Sequence, residues 1–406
     1  MKRAVTRPYR ELFAAPGTTG FALAGLLARL PLPMTGIGLI TLLAQVRGSY
    51  ALAGAVAATF VLTYALLSPQ VSRLVDRHGQ RRVVPMATGV SVIGLLMLLA
   101  ASWWEAPVAV LFLGALLAGA MPSMSAMVRA RWTAIYRGQS RLQTAYALET
   151  VFDEVTFIVG PPLSIGLAVS LFPQAGVLAA TVLLPIGALA LIAQRRTEPP
   201  IEAVLPHAAP AASVIRLPGV RWLAVLMVAM GVIVGTVDIV SVAFAAHVGQ
   251  PAAASVVLCA YAAGSCLSGV LFGALKLQTP LRRLLLLGGI ATALTTLPLL
   301  LVGSIAALAV TVFAAGVFFA PTMIVAMSLI EQQVPPRQLT EGMTWLLAAL
   351  NVGVALGAAI AGYGVDAHGP RAGYLVALCA GGAVLLAAAF AHGVLRPREP
   401  RHLGIC

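Results

Sequence analysis

Twelve apolar stretches follow one another along the chain, separated by short polar breaks. A helix rising about 1.5 Å per residue needs roughly 20 apolar residues to cross a bilayer core. By that rule spans fall near residues 17–44, 51–71, 84–101, 107–128, 143–170, 174–194, 219–246, 252–275, 283–302, 305–330, 342–364 and 371–392. In lipid the backbone must satisfy its own hydrogen bonds, so such stretches fold as helices. The chain therefore reads as an all-α membrane protein with twelve transmembrane helices. Charged residues make up only 10% of it, too few to cover a soluble surface of this size.

The few charges are unevenly placed. A net charge of +13 first suggests a nucleic-acid partner, but the cations sit in connectors between the spans, so no nucleic acid is expected. One set of connectors holds Lys2, Arg3, Arg7, Arg10, Arg73, Arg77, Arg81, Arg82, Arg129, Arg131, Arg137 and Arg141. The same side holds Arg195, Arg196, Arg216, Arg221, Lys276, Arg282, Arg283, Arg337, Arg396, Arg398 and Arg401. The opposite connectors hold Arg47 and Arg371. This is the positive-inside pattern, and it puts both termini in the cytoplasm of a multi-pass protein. The Arg-rich, Ala-rich composition suggests a GC-rich bacterium and hence the plasma (inner) membrane. The first apolar run is too long for a signal-peptide core and reads as a retained span. Cys259, Cys266, Cys379 and Cys406 show no metal or disulfide spacing and read as small apolar packers.

The longest connector, residues 195–217, contains the proline-rich run PPIEAVLPHAAP. It divides the chain into an N-terminal bundle of six helices, residues 1–194, and a C-terminal bundle with a short tail, residues 218–406. The halves repeat weakly. SRLVDRHGQRR from Ser72 aligns with GALKLQTPLRR from Gly273, MPSMSAM from Met121 with APTMIVA from Ala320, and EVTFIVGPP from Glu154 with NVGVALGAA from Asn351. The shifts nearly agree and correspond to six spans. That is a parallel repeat, and such halves enclose a site near the midplane.

The connector after the second span carries a family signature. Ser72-Arg73-Leu74-Val75-Asp76-Arg77-His78-Gly79-Gln80-Arg81-Arg82 resembles motif A of the major facilitator superfamily, with Ser72 in place of its first glycine. The resemblance covers essentially the whole chain and implies two six-helix bundles that rock around a central cavity. It implies that Ser72, Asp76, Arg77, Gly79, Arg81 and Arg82 latch the halves in the outward-facing state. The physics agrees. Asp76 at a helix end needs a cation or a helix N-terminus, Gly79 permits a tight turn, and the arginines suit an anionic leaflet. In the fifth span, Gly160-Pro161-Pro162-Leu163-Ser164-Ile165-Gly166 is similar to motif C of antiporters, with Ser164 in place of a glycine. Gly160 and Pro161 would bend the helix and admit a close neighbour. This match implies a drug/proton-antiporter-like exporter.

Ionisable residues deep inside spans are costly and mark function. They are Arg29 in the first span, Glu149, Asp153 and Glu154 in the fifth, and Asp238 in the seventh. By helical rise Arg29 lies roughly 18 Å deep, and Asp153 and Glu154 roughly 15–17 Å. These matching depths make a pair between Arg29 and Asp153 or Glu154 an expectation. Glu149 and Asp153 share a face at i, i+4. Glu154 points about 100° away, so it should find other partners. One arginine faces four acids, so the remainder must be protonated, solvated, or paired with Arg129 or Arg131. All six histidines lie at span ends, in connectors or in the tail, which leaves carboxylates as the proton carriers: Asp153 or Glu154 first, with Arg29 as switching partner, and Glu149 and Asp238 as further candidates. Asp238, the more isolated acid, suits a cationic substrate. Thr35, Tyr64, Thr236, Trp345 and Asn351 are candidates to line a cavity.

The reading is a secondary active transporter: proton-coupled export of a small organic molecule by alternating access, with the proton gradient as energy source, no cofactor and no metal. Its partners are a small-molecule substrate and the lipid bilayer, and it is expected as a monomer. The rivals are a proton-coupled uptake symporter and a uniporter or lipid flippase on the same fold. No catalytic constellation or nucleotide loop is present in the sequence, which argues against an enzyme.

Overall fold

A computed structural model describes residues 2–201, 212–250, 253–275 and 279–395. The part of the connector at residues 202–211, Lys276 and its two neighbours, and the tail with Arg396, Arg398, Arg401 and Cys406 lie outside the described residues.

Fifteen α-helices are described. In the first half they are α1 (Lys2–Leu12), α2 (Thr18–Arg29), α3 (Pro31–Arg47), α4 (Tyr50–His78), α5 (Gln80–Trp103), α6 (Val108–Ala118), α7 (Met124–Tyr136), α8 (Arg141–Ser170) and α9 (Ala175–Ala193). In the second they are α10 (Pro218–His247), α11 (Ala253–Ala274), α12 (Leu281–Thr296), α13 (Ile305–Gln333), α14 (Leu339–His368) and α15 (Pro370–Val394). Local chemistry sets several ends. Ser49 and Ser304 cap α4 and α13, their hydroxyls each accepting a backbone N–H at 3.2 Å. Gly79 separates α4 from α5 at φ +86°, a conformation that favours glycine.

Eleven helices, α2 with α3 counted as one, are long and apolar enough to cross a membrane among the described residues. The fourth span differs from its sequence reading. The apolar part, α6, stops at Ala118, and after a break at residues 119–123 the polar α7 carries the path on to Tyr136. Arg129 and Arg131, read above as connector cations, therefore sit inside a helix and are fully buried. Their side-chain partners, described below, explain how they are tolerated there.

The halves repeat in their packing. In the first half α2 and α3 pack on α8 and α9, α4 on α6, and α5 on α9. In the second, α10 packs on α14 and α15, α11 on α13, and α12 on α15. Each pairing matches its counterpart six spans later, as a parallel repeat requires. Across the halves, contact runs through α4 with α14, α8 with α11 and α13, α7 with α14, and α1 with α11.

Glycines set the closest approaches. Gly231 and Gly235 of α10 lie against α14, and Gly353 and Gly357 of α14 lie against α10. A Cβ on Gly353 would come 2.1 Å from the Val228 carbonyl oxygen. Small residues spaced four apart let the backbones touch and gain dispersion contact that lipid cannot supply. Gly353→Val is expected to lose about 1–3 kcal/mol by overpacking, read as a lower unfolding temperature in detergent.

Candidate functional site

The charged centre of the first half is built from three helices. α2 ends on Arg29, α7 supplies Ser125, Arg129 and Trp132, and α8 supplies Glu149, Thr150 and Asp153. Arg29 forms an ion pair with Glu149 and donates through Nη1 to Asp153 Oδ1 at 3.1 Å. Its Nε also donates to the Gly25 carbonyl at 3.1 Å. Trp132 Nε1 donates to Glu149 Oε1 at 2.7 Å. Asp153 Oδ2 accepts from Arg129 Nη2 at 2.8 Å and from the Ser125 hydroxyl at 2.9 Å, and Arg129 in turn donates to Ser125. Two guanidinium groups thus face two carboxylates. Every one of these side chains except Asp153 and Ser125 is buried. Each charge has its counter-charge and its hydrogen bonds, the condition for keeping ions out of water. The i, i+4 spacing of Glu149 and Asp153 is what lets one arginine hold both.

Glu154 lies outside this network. Arg29 takes Glu149 and Asp153 and not Glu154, one of its two expected partners. The roughly 100° turn per residue points Glu154 away from α2 and toward the other half. There its Oε1 accepts from the Ser265 hydroxyl of α11 at 2.9 Å. Asp238 on α10 is within electrostatic range of Glu154, and both are within range of Tyr261 on α11. Tyr261 is buried, with no hydrogen-bond partner for its hydroxyl among the described residues. Neither Glu154 nor Asp238 forms an ion pair among the described residues.

The basic ends of the helices are where the halves meet most tightly. Asp76 Oδ1 and Oδ2 accept the backbone N–H groups of Thr340 and Glu341 at 3.2 and 2.9 Å. These belong to the first turn of α14, where unpaired donors and the positive end of the helix dipole favour an anion. Ser72, in place of the motif glycine, is buried with its hydroxyl 2.7 Å from that of Thr344. The substitution exchanges a close approach for a hydrogen bond between halves. Thr144 donates to the Gly273 carbonyl at 2.7 Å and Gln143 to the Phe272 carbonyl at 3.3 Å. Arg137 lies 3.4 Å from Glu331. Arg77, Arg81 and Arg82 project outward.

Glu341, which the sequence reading passed over, is a buried acid in this seam. It accepts from the Val214 N–H at 3.2 Å and from the Ser213 hydroxyl, tying the connector to α14. At the connector's other end Glu198 accepts the Arg81 N–H at the start of α5, at 3.0 Å. Arg131 faces no acid in direct contact among the described residues. It donates to Gln80 Oε1, the Gln194 carbonyl and Thr197 Oγ1 at 2.8–2.9 Å.

The motif C-like stretch brings α8 against α3. A Cβ on Gly160 would lie 2.9 Å from Pro33 Cγ, and Ser164 donates to the Met34 carbonyl at 3.0 Å. The five cavity candidates separate. Thr35 is buried and turned to its own helix, donating to the Pro31 carbonyl at 2.7 Å. Asn351 likewise donates to the Leu347 carbonyl at 3.0 Å while remaining partly open. Tyr64 is buried. The Thr236 hydroxyl and Trp345 indole N–H are buried with no hydrogen-bond partner among the described residues.

The profile of the Major Facilitator Superfamily matches residues 21–249 and again 222–404. The chain belongs to the major facilitator superfamily. It is 27% identical over 370 residues to the uncharacterized MFS-type transporter y4rN of Sinorhizobium fredii, covering 87% of this chain and 90% of that one. Its fold is similar to a bacterial homologue of the iron transporter ferroportin in an outward-facing state, at a TM-score of 0.73 with 16% identity, over 94% of this chain and 99% of that one. It is also similar to the E. coli fucose:proton symporter FucP, at a TM-score of 0.67 with 14% identity, over 91% and 98%. The protein is thus a multi-pass membrane transporter, and the all-α MFS fold that the apolar spans and the motif A resemblance led to expect is the fold it has.

Proposed function

We propose that this transporter exports a small organic molecule in exchange for protons, and that Glu154 carries the proton. The observation behind this reading is the division of the intramembrane acids. Glu149 and Asp153 are neutralised by Arg29 and Arg129, whereas Glu154 has no cation among the described residues and sits where α8 meets α11. A carboxyl without a counter-charge can take up and release a proton without breaking an ion pair. Its environment also depends on the state. Separation of α8 from α11 takes Ser265 away and brings water from the other side. A ligand shifts a two-state equilibrium only through different affinities for the two states, and this arrangement supplies that difference for the proton.

The positive-inside distribution puts the basic end in the cytoplasm of the inner membrane. The described state is then outward-facing, with Asp76 latching the cytoplasmic side through the N-terminus of α14. Asp238 and Tyr261, close to Glu154, are placed to meet the substrate. The motif C-like packing of Gly160 and Ser164 against α3 favours export.

A thermal-shift screen at mildly acidic and mildly alkaline pH would supply a ligand. Inside-out vesicles with an acidic lumen are then expected to accumulate it. Accumulation driven only by the opposite gradient would identify an uptake symporter, and transport indifferent to either gradient a uniporter.

A further inference from the structure

In the sequence, residues 2–12 stood out only for the cations Lys2, Arg3, Arg7 and Arg10, yet they form the helix α1. It packs on α8 of its own half and on α11 of the other. Its inner side is anchored. Leu12 is fully buried, and its carbonyl accepts from the Tyr136 hydroxyl at 2.8 Å. Tyr9 donates its hydroxyl to the Val270 carbonyl of α11 at 2.8 Å. Gly273 leaves the room for this, since a Cβ there would lie 2.5 Å from the Tyr9 oxygen. Burial pushes the Tyr9 phenol well above its ordinary pKa, so it stays a donor. Glu11 is taken up by Arg7 at 3.1 Å and Arg141 at 3.6 Å. On the outer side Arg7 and Arg10 are exposed, at the basic end of the bundle.

A helix with one side buried and the other cationic, lying beside the ends of membrane spans, fits the headgroup layer of an anionic leaflet. We propose that α1 is a crossbar that reads anionic phospholipid: headgroups held by Arg7 and Arg10 seat the helix, and Tyr9 passes this on by tying it to α11 while the basic end is closed. The lipid therefore favours the outward-facing state. The bond from Tyr9 spans the two halves, so it is lost when that end opens. This inference rests on the alternating-access reading, and not on the identity of the proton carrier.

The test places nitroxide labels on Trp104→Cys and Leu301→Cys, exposed positions at the opposite end of the two halves, after replacing the four natural cysteines. Distances are measured in nanodiscs of phosphatidylcholine with or without phosphatidylglycerol. The anionic lipid is expected to raise the ratio of long- to short-distance populations by up to about thirtyfold, at about 1 kcal/mol for each of two arginines. Arg7→Gln with Arg10→Gln removes that gain. Tyr9→Phe also removes it, while the Phe ring keeps α1 in place. A lipid response that survives in both variants overturns the crossbar. A single distance population in every lipid and variant overturns alternating access, and the crossbar with it.

Discussion

Arg29→Met is expected to cost about 3–5 kcal/mol of stability, because it leaves the buried carboxylate of Glu149 without a counter-charge. Trp132 Nε1 alone would then face that group among its side-chain partners, while Asp153 would keep Arg129 and Ser125. The expected observation is a protein that survives extraction poorly and unfolds at a clearly lower temperature in detergent. Arg29→Met combined with Glu149→Leu should recover much of the loss, since removing both members of a buried pair costs far less than removing one. A single variant as stable as the parent would show that these charges are solvated and that the network does not hold the three helices together.

Asp76→Ala is the second large effect. The carboxylate now satisfies the N–H groups of Thr340 and Glu341 at the start of α14. Without it, two donors in a closed seam lose their acceptor, at about 1–3 kcal/mol each when left unsatisfied. The cost falls on the closed state of the basic end, because water reaches those donors once the halves part. The ratio of outward-facing to inward-facing protein should drop by about one and a half to four orders of magnitude, at about 1.4 kcal/mol per factor of ten. Spin-label distances across the opposite end would read this directly. Asp76→Asn, which keeps an acceptor and loses the charge, should fall between the parent and Asp76→Ala. An unchanged distribution in Asp76→Ala would leave the latch to Ser72, Thr144 and the other bonds of the seam.

The helices were legible because lipid leaves a chain few alternatives, and the parallel repeat was legible because corresponding turns keep their punctuation. The exception is instructive. The fourth span was placed by hydropathy at 107–128, yet its path runs through the polar α7 to Tyr136. A hydropathy rule cannot see that Arg129 and Arg131 are neutralised or hydrogen-bonded by groups from α5, α8 and the connector. The charged centre was half legible. Matching depth put Arg29 beside the α8 acids, and helical phase separated Glu154 from Asp153. Depth alone could not decide which acid Arg29 takes, a matter of azimuth. Trp132, Ser125, Ser265 and Tyr261 carried no signal, being ordinary residues until a charge is placed beside them. Glu341 had one: an acid in the first turn of an apolar helix.

Proton-coupled export requires that Glu154 gives up a proton when substrate binds. Proton release is measured by titrating purified transporter, in weakly buffered detergent solution, with a ligand found by thermal shift. The parent protein should release protons on binding, and Glu154→Gln should bind the same ligand without releasing any. Undiminished release from Glu154→Gln, with binding intact, would contradict the assignment.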